Sequence, residues 1–135
     1  MQSNVPLSLQ ALKQKSLLSW LAVLTALFHI YANMIGTLPT LWQNGLHFGL
    51  FALLAFLTVP FREGAGWRKI DVAAGVLILV ATLAALIGED AIYQRGVRFS
   101  GLDWVVSFTL IAAAIELTRR LTGKVIPVLI ILALT

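Results

Sequence analysis

The sequence contains no cysteine and few charged residues. Without cysteine the chain has no disulfides, no thiolate metal sites, no iron–sulfur clusters and no cysteine nucleophile. Charged residues make up 12% of the chain and hydrophobic residues 59%, and the mean hydropathy is +0.91. A soluble domain carries about twice that share of charge. The composition therefore predicts a protein whose surroundings are a lipid bilayer.

Four apolar runs each approach the roughly 20 residues that a helix needs to cross about 30 Å of hydrocarbon. They cover residues 17–35, 41–59, 70–88 and 102–117. The first run is too long for the apolar core of a cleaved signal peptide and ends in polar residues, so we interpret it as a mature helix. The sequence thus predicts an all-α integral membrane bundle of about four transmembrane helices, with no separate soluble domain.

The positive charges predict the orientation of these helices. Eight of the ten lysines and arginines flank one end of the runs, and only Arg95 and Arg98 lie in the loop between the third and fourth. The positive-inside rule then places both termini in the cytoplasm of a multi-pass protein of the bacterial inner membrane. Nucleic acid is not an expected partner, because the basic clusters form no continuous stripe.

The chain divides into three predicted parts. Residues 1–16 read as an interfacial segment, residues 17–120 as the four-helix domain, and residues 121–135 as a short apolar tail. The tail is only about half a spanning length. It could lie in the interface, continue the fourth helix past a kink at Pro127, or open a fifth helix.

Several residues at the ends of the runs have local roles that the sequence predicts. Asp71 reads as a first-turn acid of the third helix after a loop at residues 64–67, and Asp103 as a cap or first-turn residue of the fourth. Tryptophans at the ends of membrane helices are typical interface anchors. The expected anchors here are Trp42, Trp67 and Trp104.

The two histidines lie in the first and second runs at positions that an antiparallel helix hairpin would bring to similar depth. His29 and His47 could therefore ligate a haem or a small metal site. The simpler interpretation is that each makes hydrogen bonds to a neighbouring helix or to interfacial water. We expect no metal and no cofactor, and we assign both histidines to helix packing or a partner interface.

Gly45 and Gly49 form a small-xxx-small step on the second helix, with Ala52 roughly in line. Such a step lets another helix backbone approach closely, within the bundle or from a partner. On the fourth helix, Glu116, Arg119 and Arg120 stand at i, i+3 and i+4, which predicts a local ion pair. The arginines are expected to reach the lipid headgroups and anchor the helix.

Enzyme activity has no support in the sequence. It contains no metalloprotease helix motif, no phosphate-binding glycine loop and no intramembrane carboxylate pair. A complete secondary transporter is also not expected, because such proteins build their sites from repeats and broken helices. The sequence favours a subunit of a larger assembly.

Several segments resemble one known family. They are residues 27–31 (LFHIY), residues 43–49 (QNGLHFG), the spacing of Tyr93, Gly96 and Asp103, and residues 116–120 (ELTRR) followed by Gly123 and Pro127. Over about residues 17–135 the chain resembles the small (Q-type) membrane subunit of TRAP transporters, as found in the N-terminal region of fused TAXI-type permeases. Those fused proteins continue into the large domain, whereas this sequence stops at Thr135.

The resemblance implies a non-catalytic scaffold with no substrate site of its own. Its partners would be a large (M-type) membrane subunit, a periplasmic TAXI-type binding protein and membrane lipids. The complex would import organic acids, such as dicarboxylates or acidic amino acids, with a cation gradient. Arg95, Arg98 and Asp103 are then the expected docking residues for the binding protein, and the tail from Val125 is expected to contact the large subunit.

Two other interpretations stay open. A haem-binding anchor of a redox enzyme would use His29 and His47. A helical membrane protein with neither function would have no large membrane partner.

Overall fold

The computed structural model describes residues 9–36, 38–96 and 98–135, with the side chains of residues 9–12 omitted. These residues form six helices: α1 (Leu9–Met34), α2 (Thr40–Thr58), α3 (Ala65–Ile87), α4 (Glu89–Gln94), α5 (Gly101–Thr122) and α6 (Val125–Leu134). Four of them, α1, α2, α3 and α5, are long and apolar enough to cross a membrane. The prediction of an all-α, multi-pass membrane bundle is confirmed.

The chain divides into two units, the first containing α1 and the second, Leu38–Thr135, containing α2 to α6. In the first unit, residues 9–16 continue without a break into the spanning part of α1. Residues 1–8 of the predicted interfacial segment lie outside the described residues. The interfacial role of residues 1–16 and the predicted hairpin of the first two helices stay predictions.

The second unit is organised around the pairing of α2 with α3, and α5 packs against both. Ala52 and Phe56 of α2, Ile78 of α3 and Ala113 of α5 form the buried core. Two of these four are alanines, so the helix backbones approach closely, as is common where lipid-embedded helices pack. The spanning helices thus meet along small residues.

The glycines of α2 lie in this contact. A Cβ atom placed on Gly49 would lie 3.1 Å from Cβ and Oγ1 of Thr82, and one placed on Gly45 would lie 2.8 Å from Cδ2 of Leu86. On α3, a Cβ on Gly75 would lie 3.1 Å from Cδ1 of Leu53. The small-xxx-small step thus lies in the contact between α2 and α3.

The start of α5 confirms the predicted role of Asp103. Ser100 is the N-cap: its hydroxyl accepts from the backbone N–H of Asp103, and its own N–H donates to Oδ2 of Asp103 at 2.6 Å. This reciprocal capping box satisfies backbone donors that a helix start otherwise leaves without partners. It fixes where the outer loop ends and the last spanning helix begins.

The ends of two helices correct the sequence-based boundaries. Helix α3 begins at Ala65, so residues 65–67 are helical and Asp71 lies beyond the first turn, contrary to the first-turn prediction. Helix α5 continues through residues 118–122, which are polar except for Leu121, and stops at Gly123, whose φ of +85° ends the helix. Polar side chains do not interrupt a helix, whereas a residue with positive φ does.

The apolar tail forms a separate helix, α6, that contacts α5. The break between the two helices lies at Gly123 and Lys124, so a continuous helix kinked at Pro127 is wrong. Pro127 instead lies in the first turn of α6, where its missing N–H costs no hydrogen bond. Placement in the interface and a role as part of a further span both stay open.

Candidate functional site: a buried ionic cluster

The main polar feature of the second unit is a buried ion pair between α3 and α5. Nη2 of Arg120 donates to Oδ1 of Asp71 at 2.8 Å. The Asp71 side chain is 0% exposed and that of Arg120 is 5% exposed. An ion pair removed from solvent this completely is stable only when both partners are also well hydrogen-bonded.

Both partners meet that condition by bonding to the connection between α2 and α3. Nη1 of Arg120 donates to the carbonyl of Val59 at 2.8 Å, and Oδ2 of Asp71 accepts from the backbone N–H of Phe61 at 3.1 Å. Val59 caps the C-terminus of α2, where carbonyls lack helical partners and the helix dipole favours a cation. The pair thus ties the end of α2 and the following turn to α3 and α5.

Glu116 extends the cluster along α5. Its Oε1 accepts from Nε of Arg120 at 2.8 Å and from Nη2 of Arg119 at 2.7 Å, and its Oε2 accepts from Nε of Arg119 at 2.7 Å. The predicted local ion pair is confirmed. Two carboxylates balance two guanidinium groups, so the cluster is electrically neutral.

Aromatic rings cover the guanidinium groups. The Arg120 guanidinium lies 4.0 Å from the ring centroid of Phe56, and that of Arg119 lies 5.0 Å from Phe61. Desolvated contacts of this kind stabilise a cation over the face of a ring. Arg120 is therefore enclosed by the bundle, and its predicted headgroup contact is wrong. Arg119 is partly exposed.

The geometry of this ionic cluster is that of a structural link between helices. Each carboxylate and each guanidinium group in it has an oppositely charged partner. It joins residues from three helices at one end of the bundle. Its contacts link α2, α3 and α5.

Sequence reasoning missed Asp71 as a member of this cluster, although a signal was present. Asp71 follows Ile70 and precedes Val72 within an apolar run, and an acid in such a run needs a partner. Arg120 lies at the end of the fourth run that the predicted topology places on the same side of the membrane. Pairing ionisable residues that the predicted topology places at the same depth in the membrane identifies Asp71 and Arg120 as partners.

The opposite end of α5 carries a second, smaller polar cluster. Nη2 of Arg95 donates to Oδ2 of Asp103 at 2.6 Å, and Nε of Arg95 donates to the carbonyl of Arg98 at 3.3 Å. The carboxylate of Asp103 is 15% exposed, because the helix cap and Arg95 both use it. Of the three docking residues expected from the sequence, Arg95 and Arg98 are exposed, and Asp103 positions Arg95.

A cleft of about 230 Å³ lies beside this cluster, between α3, α4 and α5. Gly88 and Ala91 line one wall, and Ser107 lines the other. The remaining lining residues are mostly small and apolar. Its charged lining residues are Arg95 and Asp103, which pair with each other.

The histidines belong to different units, His29 to the first and His47 to the second. Nδ1 of His29 lies 2.7 Å from the carbonyl of Thr25, which can only accept, so Nδ1 carries the proton. The His47 ring lies 4.5 Å from that of Phe51. Across residues 9–36, 38–96 and 98–135 no group of three or more metal-ligating side chains is found. The alternative of a two-histidine haem site stays untested.

The predicted interface anchors lie at the starts of their helices. Trp42 is the third residue of α2, Trp67 the third of α3, and Trp104 the fourth of α5. The Trp104 ring lies 5.7 Å from Phe99 and 5.8 Å from Phe108. The anchoring role itself stays a prediction.

Comparisons with models of protein families, with curated proteins and with solved structures found no match. The resemblance to the small TRAP subunits therefore stays a prediction. Functional inference starts from the geometry of the two polar clusters and from the distribution of charge along the spans.

Proposed function

We propose that this chain is a non-catalytic scaffold subunit of a cation-driven organic-acid importer, the small membrane subunit of a TAXI-type TRAP transporter. The observation that carries the proposal is the position of the charges. No Asp, Glu, Lys or Arg lies between Lys15 and Arg62, between Asp71 and Glu89, or between Asp103 and Glu116. The central parts of all four spans are therefore uncharged.

A transport site for a carboxylate needs charged groups, broken helices or helix ends near the middle of the membrane. The spanning helices of the second unit are instead continuous, and their Asp, Glu, Lys and Arg residues lie towards the ends. Substrate and coupling cation would then bind in a partner. This chain would supply a rigid surface for that partner.

Residues 116–120, one of the segments that resemble the family, also have a structural role in this bundle. Glu116, Arg119 and Arg120 belong to the buried cluster that fastens three helices together. Apolar side chains such as Leu77, Val80 and Phe108 are exposed on the surface of the second unit. The ionic cluster holds the helices of the bundle together, and the sides of the bundle are apolar. Both features suit a rigid subunit that packs against a moving membrane partner.

The orientation follows from the charges. With both termini in the cytoplasm of a bacterial inner-membrane protein, the end carrying the buried cluster faces the cytoplasm. The loop with Arg95 and Arg98 then faces the periplasm. Its exposed arginines form the docking surface for a binding protein.

Co-purification tests this proposal. The tagged chain, extracted from its native host in a mild detergent, is expected to bring a large polytopic membrane protein and a periplasmic binding protein, identified by mass spectrometry. Arg98→Gln should reduce recovery of the binding protein about tenfold and leave the membrane partner in place. Lys124→Gln, at the other end of α5, is the matched control and should change neither.

Two results would contradict the proposal. One is a chain recovered without any large membrane protein. The other is a Soret absorption band, accompanied by soluble redox subunits and lost on replacing His29 or His47. That band would establish the haem-anchor alternative.

A further inference from the structure

An apolar groove runs along the second unit between α3 and α5. It has a volume of about 310 Å³. Phe56 and Ala112 are among its lining residues. Apart from Thr109 and Glu116, the lining side chains are apolar, so the groove suits a hydrocarbon chain.

One end of the groove meets the ionic cluster. Glu116 lines the groove and pairs with both Arg119 and Arg120, and Phe56 lines it and lies under Arg120. The carboxylate of Glu116 is thus neutralised where the groove ends. Nε and Nη2 of Arg119 donate to Glu116, which leaves its Nη1 amino group for an outside acceptor.

From Arg119, a row of two aromatic rings ending in a second guanidinium group continues across the end of the bundle. Arg119 lies over Phe61, the Phe61 ring is 5.3 Å from that of Trp67, and Arg62 lies 5.7 Å over Trp67. Stacking orients the Arg62 guanidinium before any ligand arrives. Among the ion pairs of the described residues, none includes Arg62.

This row lies at the depth of the lipid headgroups. The uncharged part of α3 after Asp71 extends to Ile87, roughly 24 Å at 1.5 Å per residue. That length nearly fills the hydrocarbon layer of about 30 Å, so residues 61–67 lie at its edge. Trp67 and Phe61 are also partly exposed, as expected of aromatic rings at a membrane interface.

The local charge there is positive. With Arg119 and Arg120 balanced by Glu116 and Asp71, residues 62–69 add Arg62, Arg68 and Lys69 against Glu63. An apolar groove that leads to stacked guanidinium groups matches a molecule with a hydrocarbon chain and a phosphate. Guanidinium groups bind phosphate oxygens with strong, charge-assisted hydrogen bonds.

We propose that this groove and the row formed by Arg119, Phe61, Trp67 and Arg62 bind one anionic phospholipid. An acyl chain lies in the groove, and the phosphate bonds to Arg62 and to Nη1 of Arg119. A partner helix would fill the groove but would need an acidic side chain at that depth to engage the arginines, whereas a phospholipid carries the hydrocarbon chain and the anion in one molecule. The proposal does not depend on the transporter assignment.

Native mass spectrometry of the full chain, with added phosphatidylglycerol or phosphatidylcholine in detergent, tests the site. Wild-type protein should retain one phosphatidylglycerol molecule at least about tenfold more tightly than phosphatidylcholine. Arg62→Gln should abolish that preference. Arg98→Gln, which removes a charge at the other end of the bundle, should preserve it.

A second pair of variants tests the groove. Ala112→Leu should fill it and weaken retention of both lipids about tenfold, whereas Ala73→Leu, on an exposed α3 position outside the groove, should have no effect. Melting temperatures close to wild type establish that the variants are folded.

Four results would overturn the proposal. They are equal binding of the two lipids, an unchanged preference in Arg62→Gln, displacement of phosphatidylglycerol by millimolar inorganic phosphate, and unchanged lipid retention in Ala112→Leu. Displacement by phosphate would indicate a site for small anions. Unchanged retention in Ala112→Leu would indicate that the groove is not a lipid site and is left for another occupant, such as a partner helix.

Discussion

Asp71→Asn is expected to lower the free energy of unfolding by about 3 kcal/mol, one of the two largest effects of a single substitution in this chain. The change keeps the shape of the side chain but leaves Arg120, 5% exposed, without its buried counter-charge. The carboxylate bond to the N–H of Phe61 is weakened as well. Unfolding in mixed micelles with increasing SDS, followed by circular dichroism, measures the loss. Asp90→Asn, at an exposed position of α4, is the matched control and should have little effect.

A double-mutant cycle separates the ion pair from general damage to the helices. Asp71→Leu with Arg120→Met removes both charges and replaces them with apolar groups of similar length. The double variant should be at least about 1 kcal/mol more stable than the sum of the single effects predicts, because neither charge is left unpaired. Additive effects would show that the two side chains are not energetically coupled.

Gly49→Ile is the second substitution with a large expected effect. Even a Cβ atom at this position would lie 3.1 Å from Thr82, and an isoleucine cannot be accommodated without separating α2 from α3. Overpacking of this kind costs about 1–3 kcal/mol, and we expect the upper part of that range. The same unfolding measurement tests it.

Gly66→Ile provides the matched control for this substitution. A Cβ on Gly66 would meet no atom within 4 Å, and the residue lies in the first turn of α3. Its replacement should leave stability unchanged or slightly raised, since glycine is a poor helix former. Equal stability of Gly49→Ile and wild type would contradict the close approach of α2 and α3.

The sequence predicted the features that depend on local pattern. Span number follows from run length, the Asp103 cap from its position after Gly101, and the Glu116 ion pair from helical spacing. Each involves residues of a single helix or of its immediate start. The glycine step on α2 also indicated close packing, although the sequence did not identify α3 as the neighbour.

The features that the sequence did not predict join distant residues. Asp71 and Arg120 are 49 positions apart, and the Val59 carbonyl is 61 positions from Arg120. Helical periodicity indicates which side chains share a face but not which face of another helix they meet. The sequence alone therefore predicts a headgroup contact for Arg120, where a boundary arginine is usually found, and a helix start for Asp71.

The apolar tail is a second case in which the sequence does not determine the structure. Pro127 indicates a kink, yet the break lies at Gly123, whose backbone adopts a positive φ. Proline in a first helical turn is well tolerated, so it marks the beginning of α6. Gly123 and Pro127 must be considered together to distinguish two separate helices from one kinked helix.

The most direct test of this account is to determine which ends of the helices lie on which side of the membrane. The chain contains no cysteine, so single cysteines can be labelled without background. Glu63→Cys, Tyr93→Cys and Lys124→Cys place thiols at three exposed positions. An impermeant maleimide added to spheroplasts should label only the Tyr93→Cys variant, and the other two should react only after the membrane is opened. Labelling of Glu63→Cys and Tyr93→Cys from the same side would contradict a spanning α3, and with it the scaffold role.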